Sequence, residues 1–245
     1  MVSNNNTHCR ILFIHGLESG PNGSKARYLT QHFGKEITII PDMEMSVFNI
    51  FRRNSIIRRG SFTSSMESCI DIIMQTIEKE KLGTNNNEYI MIGSSWGGAV
   101  ALHVLKRLDK NNQPIKTVLI APALSINSVF ASRFYPTFYS EYLPGSQRDL
   151  NTRPIPDADD ITAEDNACTT GTRNEESMLI FHGTSDDTIP IQSSRDFASK
   201  FSQHVKLVEV GDGDHRLNKY LLEPTTQHPS GRLKSILVEA GALCH

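Results

Sequence analysis

The most restrictive stretch of the chain is Tyr89 to Val100, where an apolar run enters Gly93-Ser94-Ser95-Trp96-Gly97 and leaves it as a helical pattern. Residues 89–92 have the character of a short buried strand, and 99–108 carry apolar side chains at helical spacing. A chain that passes so quickly from strand to helix crowds the side chains beside the turn. Glycines at 93 and 97 remove the Cβ atoms that would collide there. Ser95 is thereby lifted above the sheet edge, at the positive end of the following helix. A plainer reading makes the same serine a helix N-cap, so the choice depends on what the rest of the chain brings to it.

Strands and helices alternate around this turn. Strand character recurs at 9–14, 36–40, 116–121, 178–181 and 205–210. Helical spacing recurs at 25–33, at 66–77 behind Ser64 and Ser65 as N-caps, at 191–201 and at 235–242. Near-continuous apolar strands interleaved with helices imply an α/β protein, with a mostly parallel sheet of about six strands flanked by helices. The 245 residues suit a single domain over 1–245. Regularity lapses over about 122–176, aromatic-rich at 130–142 and then polar, which reads as a lid-like insertion. It also lapses over 42–63, where Arg52, Arg53, Arg58 and Arg59 form either a solvated basic face or a dock for a charged substrate.

A net charge of −2 supplies no field that would gather nucleic acid or an anionic membrane, which leaves a small molecule as the expected partner. The first residues have no apolar leader and no later run reaches the length of a membrane span, so the expected location is cytoplasmic. Cys9, Cys69, Cys168 and Cys244 are widely separated, which predicts free thiols and no metal site. The expected assembly is a monomer or weak dimer.

A serine hydroxyl is a weak nucleophile near neutral pH and needs a base within hydrogen-bond reach, itself oriented by a carboxylate. In a parallel sheet such groups come from loops at the carboxyl ends of strands. Two downstream loops offer them: His182-Gly183-Thr184-Ser185-Asp186-Asp187-Thr188-Ile189-Pro190 and Gly211-Asp212-Gly213-Asp214-His215-Arg216. Their order along the chain is Ser, Asp, His.

In these motifs the chain resembles the α/β-hydrolases, specifically the small serine esterases and thioesterases. The resemblance rests on His15-Gly16 after the first strand, the Gly-x-Ser-x-Gly turn, the His-Gly-x-x-Asp-x-x-x-Pro loop and the closing Gly-Asp-His, which together span 11–215. The loop 15–26 is also similar to the start of YqiA-like small esterases, with some similarity to acyl-protein thioesterase relatives. The resemblance implies an α/β-hydrolase fold with Ser95 as nucleophile, Asp186 as orienting acid (Asp187 being the alternative) and His215 as general base. It places the oxyanion-stabilising backbone N–H groups on Leu17 and Trp96, and it implies no metal or organic cofactor. The implied substrate is a small-molecule carboxylic ester or thioester. The same triad on an amide or C–C bond, or a ligand receptor with little turnover, remains open. Two features depart from the family: the chain starts at the strand before His15, without preceding antiparallel strands, and the 122–176 segment is polar for a lid. His182 reads as a packed histidine supporting the acid loop and His103 as structural. The Trp96 indole reads equally as a pocket wall or as packing against the sheet.

Overall fold

The computed structural model describes residues 9–17, 19–43, 63–84, 87–124 and 177–242. Among these residues six strands form one parallel sheet: β1 Arg10–Ile14, β2 Thr38–Ile39, β3 Tyr89–Ser94, β4 Lys116–Ile120, β5 Met178–Gly183 and β6 Val205–Val210. Their spatial order is β2-β1-β3-β4-β5-β6. The helices are α1 Ser24–Phe33, α2 Thr63–Lys79, α3 Trp96–Arg107, α4 Gln192–Lys200, α5 Asn218–Leu222 and α6 Arg232–Glu239.

Strand side chains alternate between two cores because successive residues point to opposite faces of a sheet. Leu12, Ile14, Tyr89, Met91, Leu119, Met178 and Ile180 enter one cluster with Ile70, Ile73 and Ile77 of α2, Val100 and Val104 of α3 and Phe197 of α4. Ile11, Phe13, Ile90, Ile92, Val118, Ile120, Leu179 and Phe181 enter the other with Leu29 and Phe33 of α1, Leu221 of α5 and Leu233 and Leu237 of α6. Burial on both faces explains why these strands are apolar throughout rather than at every second residue.

The strand order places a switch point at β1. β2 pairs on one side of it and β3 on the other, so the connections leave β1 in opposite directions. Their carboxyl ends therefore border a crevice, the position where open parallel sheets hold ligands.

Several boundaries differ from the sequence expectation. β2 has two residues instead of five, because Gly34 ends α1 at φ +81° and Thr38 N–H returns to the Gly34 carbonyl, drawing the intervening residues into a turn. α2 starts at Thr63, so Ser64 and Ser65 lie within its first turn and not before it. α5 is too short to show a period, and α6 opens three residues earlier than expected, after Gly231 at φ +88°. Cys9 and Cys69 are buried thiols, and burial pushes the Cys69 thiol up to about 12. Cys168 and Cys244, the four arginines at 52, 53, 58 and 59, and the insertion from residue 125 onward lie outside the described residues. Among the described residues, no helix is long and apolar enough to cross a membrane, and no group of three or more metal-ligating side chains forms a cluster.

Backbones also pack closely where α3 begins. A Cβ on Gly97 would lie 2.1 Å from the Ile14 carbonyl oxygen and 2.6 Å from that of His15. Neither oxygen can yield without moving β1. Gly97→Ala is expected to lose at least about 2 kcal/mol in urea unfolding with the slope unchanged, and an unaltered midpoint would show this junction to be looser.

Candidate active site

Ser95 lies between β3 and α3 with φ +54° and ψ −118°, a conformation that costs a non-glycine residue about 1–3 kcal/mol. Three backbone hydrogen bonds hold it there. Its N–H donates to the Ile120 carbonyl at 2.9 Å, and its carbonyl accepts from Gly98 at 2.9 Å and from Ala123 at 3.0 Å. Although Ser95 occupies the N-cap position, its hydroxyl makes no capping bond. That hydroxyl faces His215 instead, with Oγ 3.0 Å from Nε2.

The other ring nitrogen, Nδ1 of His215, lies 2.8 Å from Asp186 Oδ2. Asp186 Oδ1 accepts the Thr188 and Ile189 backbone N–H groups, each at 2.8 Å. Burial works to raise the Asp186 pKa, but the hydrogen bonds from His182 and His215, the charge of His215 and the Ile189 N–H outweigh it, so the carboxyl is held well below the usual carboxylate range. An ionised carboxylate only accepts. His215 therefore carries a hydrogen on Nδ1, and in its neutral form presents a bare Nε2 to the serine hydroxyl.

The loops bearing Asp186 and His215 meet because Gly183 and Gly213 let their backbones touch: a Cβ on Gly183 would stand 2.0 Å from the Gly213 carbonyl oxygen. Parallel pairing of Gly183 with Val210 sets both loops at the same sheet edge. Asp187 is exposed and takes the Thr188 hydroxyl at 3.2 Å; it neither reaches His215 nor caps α4, whose N-cap is Ile191 without a side-chain bond.

A cavity of about 660 Å³ opens onto Ser95 and His215 and is also lined by Leu17, Lys25, Asp187 and Arg216. Leu17 follows β1, and Trp96 is the first residue of α3, whose N–H has no acceptor within its helix. The Trp96 indole belongs to the core cluster with Met91 and Val100, so its side chain packs against the sheet. His15 is fully buried. It donates from Nδ1 to the Gly16 carbonyl at 3.0 Å and accepts the Met43 N–H on Nε2 at 3.2 Å, tying the exit of β1 to that of β2. Burial lowers its pKa, opposed by the Gly16 carbonyl and Asp42.

Residues 10–226 match the family described as "Uncharacterised protein family (UPF0227)". The chain belongs to the UPF0227 family. No curated protein matches it. Among solved structures it is similar to the Pyrococcus furiosus esterase PF2001 (TM-score 0.61, 14% identity, 97% of this chain and 82% of that one). It is similar to Est1E from Butyrivibrio proteoclasticus with ferulic acid bound (0.56, 14%, 88% and 84%). It is also similar to MGS-MChE2, an alpha/beta hydrolase enzyme from the metagenome of lagoon sediments at Mar Chica, Morocco (0.58, 14%, 95% and 90%). The fold of this UPF0227 member is therefore that of the α/β-hydrolases.

Lys25 and Ser194 are two site neighbours that the sequence reading passed over. Each is a polar residue on an apolar helix face, Lys25 four residues before Leu29 and Ser194 three before Phe197, and that mismatch was the available signal. Lys25 Nζ donates to the Arg216 carbonyl at 2.7 Å and to Asn218 Oδ1 at 3.2 Å, fastening α1 to the loop that carries His215. Burial lowers its pKa to about 8, with Asp214 opposing and Arg216 adding to the shift. The folded chain thus releases this proton at a lower pH than the unfolded chain, whose ordinary value is 10.5. Stability should rise with pH across that window. Between about pH 7.5 and about pH 10, guanidinium unfolding is expected to shift the wild-type minus Lys25→Met difference by roughly 2 kcal/mol in favour of wild type. A difference that stays constant, or moves the other way, would show the lysine to be solvated.

Proposed function

We propose that the chain is a serine hydrolase that cleaves a small-molecule carboxylic ester or thioester through an acyl-enzyme on Ser95. The observation that carries this reading is the continuous hydrogen-bonded series in which His215 stands 3.0 Å from Ser95 Oγ and 2.8 Å from Asp186 Oδ2. As Ser95 Oγ attacks the substrate carbonyl carbon, its proton passes to His215 Nε2 and the carbonyl oxygen gains negative charge. The adjacent ionised Asp186 stabilises the imidazolium and holds the ring in place. Collapse of the tetrahedral adduct breaks the bond to the leaving alkoxide or thiolate, which takes the proton from His215. Water then attacks the acyl-enzyme, with its proton going to His215, and collapse returns the proton to Ser95 and releases the acid.

The oxyanion would be met by the backbone N–H groups of Trp96 and Leu17, each such donor typically contributing about 3 kcal/mol to the transition state. Their position supports this role: Leu17 lines the cavity beside Ser95, and Trp96 opens the helix whose positive end faces it. Fixed donors in a strained, glycine-packed turn need no reorganisation during reaction, which is what makes them effective. The near-neutral net charge supports a small-molecule substrate rather than nucleic acid, and a cytoplasmic, monomeric or weakly dimeric enzyme without metal or organic cofactor completes the reading.

Wild-type protein is expected to react covalently with a fluorophosphonate probe, and Ser95→Ala to lose both the label and at least about 10⁴-fold in the hydrolysis of nitrophenyl esters. Folded wild-type protein that takes no label would remove the serine-hydrolase reading. A series of nitrophenyl esters and acyl-CoA thioesters of increasing chain length is expected to peak at short or medium acyl groups, and a steady rise to long chains would contradict a modest acyl pocket.

A further inference from the structure

One buried histidine takes no part in that reaction. His182, near the end of β5, is fully enclosed, and its Nε2 lies 3.0 Å from the Ile189 carbonyl oxygen and 3.2 Å from Asp186 Oδ2. The latter is the oxygen that also receives the His215 N–H. Both neighbours of Nε2 are pure acceptors, so Nε2 must carry the ring hydrogen. In the neutral ring Nδ1 is then bare and takes a donor. That donor is Ser194 Oγ at 2.7 Å, itself fully buried on α4. His182 reaches the carboxylate by two routes, because Ile189, whose carbonyl it holds, also donates its backbone N–H to Asp186 Oδ1 at 2.8 Å.

We propose that His182, with its tautomer set by Ser194, is a positioning residue of this site: it fixes the direction of the Asp186 carboxylate and moderates the charge that Asp186 presents to His215. This rests on the triad reading above. Two imidazoles share Oδ2, and each weakens the other's hold on it. Without His182 the carboxylate would draw more strongly on His215 and favour its protonated form, which cannot act as base. A purely packing histidine would have no such effect, since an apolar side chain of similar volume would fill the space without touching the proton balance.

The charged and titratable groups around this series come from every neighbouring element. Asp186 and Asp187 lie on the loop after β5; Glu209 of β6 sits opposite His182 in the sheet register and pairs with Arg195 of α4 at 2.6 Å. Asp212, Asp214, His215 and Arg216 lie on the loop after β6, and Lys25 on α1. Of these, Asp186 and His215 touch the series directly. The Arg195–Glu209 pair compensates itself at the surface.

The test uses His182→Leu, His182→Gln and Ser194→Ala in the full chain. Rates are expressed per reactive Ser95, counted by fluorophosphonate titration, so that loss of folded protein is separated from loss of turnover. His182→Leu is expected to lower kcat about 10-fold with KM nearly constant and to move the acid limb of kcat/KM upward by about half a pH unit. His182→Gln, whose amide N–H reaches where Nε2 stood, is expected to recover most of both, and Ser194→Ala to fall between. Ring ¹⁵N resonances of wild-type His182 should show a protonated Nε2 and a bare Nδ1. The proposal is overturned if His182→Leu loses only stability or active fraction while kcat per site and the acid limb stay as in wild type, if the glutamine rescues nothing, or if the resonances show the opposite tautomer. Absence of fluorophosphonate labelling in folded wild-type protein would instead strike the hydrolase reading, while the tautomer would still judge the His182 geometry.

Discussion

The site depends on a strained backbone at Ser95 that the surrounding sheet does not allow to relax. A residue at φ +54° would ordinarily drift toward a helical or extended conformation, and three hydrogen bonds to β4 and to residues 98 and 123 prevent it. Close packing of Gly97 against the carbonyls leaving β1 fixes where α3 begins, and through it where the Ser95 hydroxyl stands. Parallel pairing carries the same edge across β4, β5 and β6, so a serine, a carboxylate and an imidazole drawn from three distant parts of the chain meet within hydrogen-bond reach.

Around that fixed point the fold spends buried polar groups sparingly and pairs them. His15, Asp186, His182 and Ser194 are removed from water, and each has its partners in hand. Leaving any one of them unsatisfied would cost about 1–3 kcal/mol, more for the charged carboxylate, which is why they come as a connected set rather than singly. Lys25 extends the same logic to α1, since its ammonium is held between the Arg216 carbonyl and Asn218 at the base of the His215 loop. These ties make the loops after β1, β5 and β6 parts of one framework, although loops of this kind are often the most mobile parts of an α/β protein.

Much of this was legible in the chain itself. The apolar strands, their alternation with helices and the glycine-flanked Ser95 turn follow from side-chain size and period, and the structure has those elements close to where the sequence puts them. What escaped were features set by tertiary contact: the shortening of β2 by the turn from Gly34, the brief α5, and the burial of Lys25 and Ser194 on helix faces whose other members are apolar. The choice between Asp186 and Asp187 was open in the sequence because neighbouring carboxylates are chemically identical there. In the fold they differ completely, one enclosed by four donors and the other facing solvent. The orientation of the Trp96 indole was equally undecidable until packing placed it among Met91 and Val100.

The central claim is covalent chemistry at Ser95, and it is tested most directly by rapid acid quench during turnover of a nitrophenyl ester, followed by mass spectrometry of the digested protein. The account predicts a transient acyl group on the peptide containing Ser95, accumulating in step with a burst of nitrophenol and absent in Ser95→Ala. Ester consumption with no acyl adduct, or an adduct on any other residue, would contradict it.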